Sequence, residues 1–179
     1  MTRRHKTFVS YHHANDQYYK NRLEQLCQHQ IVTRSVQIGD IDPNTNTDNI
    51  RRIIREQYLR DSTVTVVLIG RDTWKRKHVD WEISSSIRQT SASSRSGLLG
   101  IFLPSHPDYK NSSYNKYTIP PRLADNVDCG FAQLYDWEER ATAIQDWIHE
   151  AYKRRSSINP NNARPLFANN RPMNQKEWQ

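Results

Sequence analysis

One short stretch of the chain, residues 74–83, gathers the residue types that could do chemistry on a charged sugar. It places the carboxylate of Glu82 near His78, directly after Trp81 and on the same stretch as Trp74 and three consecutive cations. A carboxylate can stabilise positive charge that develops on a sugar ring, aromatic rings can stack on it, and Lys or Arg can hold phosphates. The pattern therefore indicates a site for a sugar that carries phosphate groups.

The apolar run at 63–70 is the element that would position this stretch. It is a near-continuous series of β-branched and aliphatic residues, which is typical of a central parallel strand covered on both faces. We expect a helix to follow it, with Glu82 in the first turn. In an open parallel sheet, ligands bind at the carboxyl ends of the strands. Glu82 is therefore expected at the ligand-binding edge.

Strand and helix patterns alternate along the rest of the chain. Asp16 and Asp48 are the expected N-caps of the first two helices, and a last helix is expected at 137–153. Residues 105–130 read as a long irregular excursion. The further strands are expected at 6–11, 34–38, 97–103 and 131–135.

This alternation predicts a flavodoxin-like α/β fold, with a mostly parallel five-stranded sheet and helices on both faces. Right-handed crossovers would place all strand-to-helix loops on one edge. That edge would gather residues 10–13, 39–40, 70–72 and 74–82. The loop at 39–48 is dense in Asp and Asn and is expected to be an assembly or gating surface.

Charge divides the chain into a body, 1–155, and a basic, Asn- and Pro-rich tail, 156–179. The net charge is +7, and six Lys or Arg fall between Lys153 and Gln179 against one Glu. The tail has the composition of a poorly ordered segment, so it is expected to contribute little to the core. Because the basicity lies mostly in residues 153–179, at the end of the body and in the tail, nucleic acid is not an expected partner.

Two cysteines, far apart, match no metal spacing and indicate free thiols in a reducing cytoplasm. No apolar run approaches the roughly 20 residues needed to span a bilayer, so no membrane partner is expected. Phosphate-binding and dinucleotide glycine motifs are missing, as is a nucleophile elbow. A phospho-acceptor receiver needs an aspartate at the end of the third strand, where this chain has Ile69 and Gly70. The pair His12 and His13 has no third clustered ligand, so no metal is expected.

Each candidate also has a plainer interpretation. A glutamate early in a helix is favoured by the helix dipole and is usually only solvated. Tryptophans are more often core or rim residues than ligand stackers, and cations usually form a solvated face. His12 would bond to the backbone at a strand end, and the Asp40 loop would be a polar turn. Spacing alone does not choose between these interpretations and the functional ones.

The order and spacing of several segments resemble the TIR-like domain family that includes ThsB, a component of the Thoeris anti-phage system. The resemblance covers roughly residues 6–150 and implies a flavodoxin-like TIR fold. The segments that carry it are Phe8–Asp16, Ser35–Asp42, Ile53–Gly70, Thr73–Ile87 and Gly97–Pro104.

The resemblance also implies site residues. In enzymatic TIR domains the catalytic residue is a glutamate early in the helix after the third strand, and that position maps to Glu82. The usual pattern there is Trp-Val-x-x-Glu, whereas this chain has His78 in place of the tryptophan, which leaves a polar group beside the pocket. The residues implied or expected to contact substrate are Ser10, Tyr11, His12, His13, Asp40, Trp74 and His78.

The implied function is NAD cleavage in bacterial anti-phage immunity, by an NAD glycohydrolase or an ADP-ribosyl cyclase-like enzyme. NAD would be the substrate, with no further cofactor. Water as acceptor gives ADP-ribose, and an internal nucleophile gives a cyclic ADP-ribose signal. The implied partners are other copies of the chain, a phage-derived activator and a separate effector protein. The alternative from a different class is a non-catalytic TIR-like interaction module, and a nucleotide-processing role for the basic tail is a third.

Overall fold

The computed structural model describes residues 4–28, 31–32, 36, 40–42 and 44–179, without the side chains of 31–32. Its five strands form one sheet in the order β2-β1-β3-β4-β5, and all four pairings are parallel. Four strands of four to six residues form the body of the sheet, and the two-residue β2 pairs with β1 at its edge. The strands are β1 (Thr7–Ser10), β2 (Ile31–Val32), β3 (Val64–Ile69), β4 (Gly97–Phe102) and β5 (Ala132–Asp136).

In the described part of the chain, five helices cover the two faces of the sheet, and helices on both faces are what the sequence predicts. Side chains of β3 alternate between the faces, so Val66 meets Leu23 and Ile148 in one core, while Ile69 meets Ile83 in the other. All six residues of β3 are buried, which confirms its central position. The helices are α1 (His13–Cys27), α2 (Thr47–Gln57), α3 (Lys77–Ser86), α4 (Pro121–Asp128) and α5 (Ala141–Ser157), with 3₁₀ turns at Thr73–Lys75 and Lys116–Thr118.

The second strand among the described residues does not lie at the predicted position, 34–38. Pairing with Thr7 and Phe8 is made by Ile31 and Val32, so β2 lies earlier in the chain. Val36 is outside any strand, and the rest of 33–39 lies outside the described residues.

Two predicted helix caps are also wrong. His12 caps α1 by accepting a hydrogen bond from the amide of Asn15 at 3.2 Å. Asn46 caps α2 by accepting from the amide of Asn49 at 2.9 Å. Both helices therefore begin before the expected aspartates, and Asp16 is buried inside the first turn of α1. In each case a side chain shortly before the expected aspartate accepts the capping bond instead.

The excursion at 105–130 contains a helix that the sequence interpretation missed. Its prolines suggested a break, but Pro121 occupies the first turn of α4, where a missing N–H costs nothing. The last strand and helix also lie later than expected: β5 begins at Ala132 and α5 ends at Ser157. The shift moves no core position to the wrong face.

The expectation that the tail contributes little to the folded body is wrong. After α5 the chain runs back across α4 and α3. The indole of Trp81 donates to the carbonyl of Phe167 at 2.8 Å, and Trp178 packs against the core beside α4. Buried backbone carbonyls and Asn side chains supply partners that tail composition alone does not reveal.

Candidate functional site

Glu82 is completely buried, on the face of α3 that meets the end of β1. Helix α3 begins at Lys77, so Glu82 is its sixth residue and lies in the second turn rather than the predicted first. Its neighbours Val79 and Ile83 pack into the sheet core, which fixes the rotation of the helix. The carboxylate is therefore held inside the protein, and the solvated interpretation of Glu82 is wrong.

Two neutral donors hold the carboxylate of Glu82. The hydroxyl of Ser10, the last residue of β1, donates to Oε2, and the backbone amide of Val36 donates to Oε1 at 3.0 Å. Both contacts are buried. A charged acceptor strengthens such bonds, especially where water is excluded. The carboxylate thus ties the end of β1 to the segment after β2.

Three rings form a cluster beside this carboxylate's helix. The ring of His13 lies 4.7 Å from that of Tyr11 and 4.4 Å from that of His78. Nε2 of His78 lies 2.9 Å from the carbonyl oxygen of Tyr11, to which its N–H donates. Burial lowers the pKa of His78 to about 4, so the ring is neutral at physiological pH. The polar group that replaces the family's tryptophan is therefore an uncharged donor in this structure.

His12 lies next to this cluster with one ring nitrogen occupied. Its Nδ1 caps α1, while Nε2 is buried and has no hydrogen-bond partner among the described residues. Burial and, to a smaller extent, the charge of Arg76 lower the pKa of His12. The plain interpretation, a backbone-bonded histidine at the strand end, accounts for Nδ1 and leaves Nε2 unexplained.

Asp40 and Trp74, the other two expected substrate contacts, are placed differently. Asp40 is exposed and accepts a hydrogen bond from the hydroxyl of Tyr58 at 2.7 Å. Trp74 is buried in the 3₁₀ turn and helps line a separate cleft of about 410 Å³, whose other wall is residues 173–176 of the tail. The structure thus gathers Glu82 with Ser10, and His78 with Tyr11 and His13.

A second acidic position at the same edge was missed. Burial raises the pKa of Asp16 to about 6, and Thr73 donates to its carboxylate at 3.5 Å. Gly70, at the end of β3, faces this carboxylate so closely that a Cβ would collide with it. The sequence shows the glycine, but not why a glycine is needed there. The requirement comes from the close approach of α1, which depends on tertiary packing.

The described residues provide a carboxylate, neutral donors and aromatic rings, and no cluster of three or more His, Cys, Asp or Glu that could hold a metal ion. No helix in the described part of the chain is both long and apolar enough to cross a bilayer. A buried carboxylate whose position is fixed by a hydroxyl and a backbone amide can stabilise positive charge that develops beside it. The arrangement suits stabilisation of positive charge rather than proton transfer between two carboxylates.

Comparison with known proteins identifies a family. A family model described as Thoeris protein ThsB, TIR-like domain, matches residues 8–108, more than half of the chain. The matched range runs from β1 through β4 and includes every candidate site residue. No curated protein matches the chain.

Proposed function

Because the chain belongs to the ThsB TIR-like domain family, we propose that it cleaves the nicotinamide–ribose bond of NAD, with Glu82 as the catalytic residue. The family ties the chain to the Thoeris protein ThsB, and anti-phage defence is the proposed setting. The observation that supports catalysis is the complete burial of Glu82 at the carboxyl end of β1, where the hydroxyl of Ser10 and the amide of Val36 bind its carboxylate.

The proposed role of Glu82 is electrostatic. When nicotinamide leaves with the bonding electrons, positive charge builds on the ribose ring, and a nearby carboxylate stabilises it. Such preorganised stabilisation is often worth about 3–4 kcal/mol of activation free energy. Nicotinamide leaves as a neutral molecule, so no second carboxylate is needed to protonate it, in contrast to ordinary glycoside hydrolysis.

Access to the carboxylate requires a local change. In the described arrangement Oε1 is occupied by the amide of Val36, and the side chain has no exposed surface. Substrate contact therefore requires the bond to Val36 to open, which leaves Ser10 to orient the carboxylate. A protein that must first open this contact would be inactive until an activator or self-association favours the open form.

Neutral groups at the same edge would complete the site. Tyr11 and His13 offer ring faces, and His78 and His12 offer uncharged nitrogen atoms. Rings can stack on nicotinamide or adenine, and neutral donors can orient ribose hydroxyls without competing with Glu82 for the developing charge. Water attack on the ribosyl cation gives ADP-ribose, and attack by a nucleophile within the same molecule gives a cyclic ADP-ribose.

The second candidate function is a non-catalytic interaction module. The same observation favours it in another way: Glu82 joins the end of β1 to the segment at Val36, which is what a purely structural carboxylate would do. The exposed acidic residues Asp40, Asp42 and Asp48 would then form a surface for other copies or an effector protein. The two candidates differ in whether NAD is consumed.

Chromatography of NAD incubated with the purified protein tests the proposal. The reaction is run alone and with an extract of phage-infected cells, because an activator is expected. Equimolar release of nicotinamide together with ADP-ribose or a cyclic isomer supports catalysis. Intact NAD in both reactions, with stable self-association or effector binding by sedimentation, supports the interaction module. Extract alone is the control for host NAD consumption.

A further inference from the structure

A second cleft lies away from Glu82, along α2. It has a volume of about 680 Å³, within the size range of small-molecule sites. One wall is α2 together with Arg60, which lies shortly after it. The other walls are the end of α3 and the loop at 90–93. Neither Glu82 nor any candidate substrate contact is among the lining residues, so the cleft is separate from the proposed NAD site.

Arginines dominate the lining of this cleft. Five arginines face three carboxylates, a net charge of +2; the arginines are Arg51, Arg52, Arg55, Arg60 and Arg88. Two of the carboxylates already have partners within the cleft: Asp48 with Arg88 at 3.3 Å, and Glu56 with Arg52 at 3.4 Å. The third, Asp61, pairs with Lys6 outside it. The acids therefore do not neutralise the other three arginines.

The contacts of Arg51 and Arg55 are with neutral groups. Arg55 donates from Nε to the hydroxyl of Ser93 at 2.6 Å and from Nη1 to that of Ser96 at 3.1 Å. Arg51 donates from Nε to the hydroxyl of Ser84 at 2.8 Å, which leaves its terminal nitrogens without an acceptor among the described residues. The side chains are held in place by neutral acceptors, as in a preformed anion site, while the carboxylates near Arg51, Asp48 and Asp80, act on it through space.

Repulsion between neighbouring arginines also favours a bound anion in this cleft. Burial lowers the pKa of Arg51, with repulsion from Arg122 and Arg88 adding to the shift and attraction to Asp48 and Asp80 opposing it. Burial and Arg155 lower the pKa of Arg55. Both groups stay charged at neutral pH. Holding several partly buried arginines together is unfavourable unless an anion joins them.

We propose that this cleft binds a small molecule carrying two or more phosphate groups. Planar guanidinium groups match phosphate oxygens in pairs, and Ser85, Thr90 and Ser93 add hydroxyl donors. No described residue in the lining is aromatic, so recognition rests on the phosphates rather than on a stacked base. This inference does not depend on NAD cleavage.

Calorimetric titration with tripolyphosphate, pyrophosphate and orthophosphate at constant ionic strength tests the proposal. Affinity should fall in that order, because each phosphate adds charge-assisted contacts. Arg51→Gln and Arg60→Gln should each weaken tripolyphosphate binding by about tenfold or more, since one such contact is worth that factor. Arg60 is exposed, so its replacement leaves folding intact. Arg140→Gln, on an exposed arginine outside the cleft, is the matched control and should bind like the wild type.

Three results would overturn the inference. One is the absence of heat from tripolyphosphate at millimolar concentration. Another is equal weakening by Arg140→Gln and Arg51→Gln, which would mean diffuse attraction to a basic protein. The last is a ten-nucleotide single strand that binds far more tightly than tripolyphosphate, which would make the surface a nucleic-acid site. Each is read without NAD, so failure here leaves the Glu82 proposal unaffected.

Discussion

Two buried carboxylates on helix α3 are held in opposite ways. Asp80 forms a two-point ion pair with Arg122 at 2.9 and 3.3 Å and accepts the amide of Phe167 at 2.9 Å. Glu82, two residues later, is positioned by a hydroxyl and a backbone amide, without a cation in those contacts. Successive side chains two apart point to different sides of a helix, so one faces α4 and the tail and the other faces β1.

The difference separates a structural carboxylate from a candidate catalytic one. The charge of Asp80 is already compensated, so Asp80 has little left to offer a ribosyl cation and is not a substitute for Glu82. Glu82 lies instead at the carboxyl end of β1, where a hydroxyl and a backbone amide orient its carboxylate, and it is the candidate for stabilising a developing cation. The predictions below test this contrast, in order of their expected effect on the free energy of unfolding.

Breaking the ion pair between Asp80 and Arg122 should have the largest effect on the free energy of unfolding. Arg122→Ala leaves Asp80 buried without its cation, which should lower the free energy of unfolding by about 3–5 kcal/mol. Urea denaturation measures it. The double variant Asp80→Asn, Arg122→Gln should recover part of the loss, because no uncompensated charge remains. Equal losses in the single and double variants would mean that packing, and not charge, makes the pair important.

Removing the tail should cause the next largest loss of stability. Ending the chain at Ser157 deletes Trp178 and the tail groups that bond Arg122, Trp81 and Asp80. At about 1 kcal/mol for each net hydrogen bond, the free energy of unfolding should fall by about 2–4 kcal/mol. Trp178→Ala should give an intermediate loss, and Lys176→Ala, on an exposed tail residue, almost none. A truncated protein as stable as the full chain would mean that the tail contributes little to the folded body, as its composition predicts.

Much of this fold can be inferred from the sequence, and the tail shows where that inference stops. The run at 63–70 identifies β3 because burial on both faces demands a continuous apolar segment. The tail resembles disordered chains because Asn, Pro and Arg bury poorly alone. Its partners, Asp80 and Arg122, lie about 40 or more residues away along the chain and are found only after folding. Long-range polar partners leave no local pattern.

The candidate site shows the same limit. Glu82, Ser10 and the histidines could be named from their order along the chain, since the carboxyl ends of parallel strands share an edge. The amide of Val36 could not, because a backbone donor has no side-chain signature. Nor could the burial of Glu82, which depends on that contact, or the placement of Trp74 against the tail.

The candidate site around His78 can be probed through the pH dependence of the free energy of unfolding. The pKa of His78 is about 4 in the folded protein against 6.5 for an unburied histidine, so the unfolded chain binds more protons between these values. Stability that depends on neutral His78 is therefore lost as pH falls from about 6.5 to 4, by about 2–3 kcal/mol. His78→Gln should lose less over this range in urea titrations at several pH values. Asp16, with its raised pKa, acts in the opposite direction and is common to both proteins. Parallel curves would mean that His78 is not held neutral.

Glu82→Gln should have the smallest effect on stability and the largest on chemistry. The amide keeps the size of the side chain but cannot accept from both Ser10 and Val36, so the free energy of unfolding should fall by about 1–2 kcal/mol.

The decisive measurement is NAD turnover by folded Glu82→Gln under activating conditions, beside Glu150→Gln, which makes the same change on an exposed helix position. Loss of the charge that faces the ribose should lower the rate by about 10²–10³. Glu150→Gln should match the wild type. If Glu82→Gln, folded by near-ultraviolet circular dichroism, consumes NAD as fast as the wild type, Glu82 is not the catalytic residue.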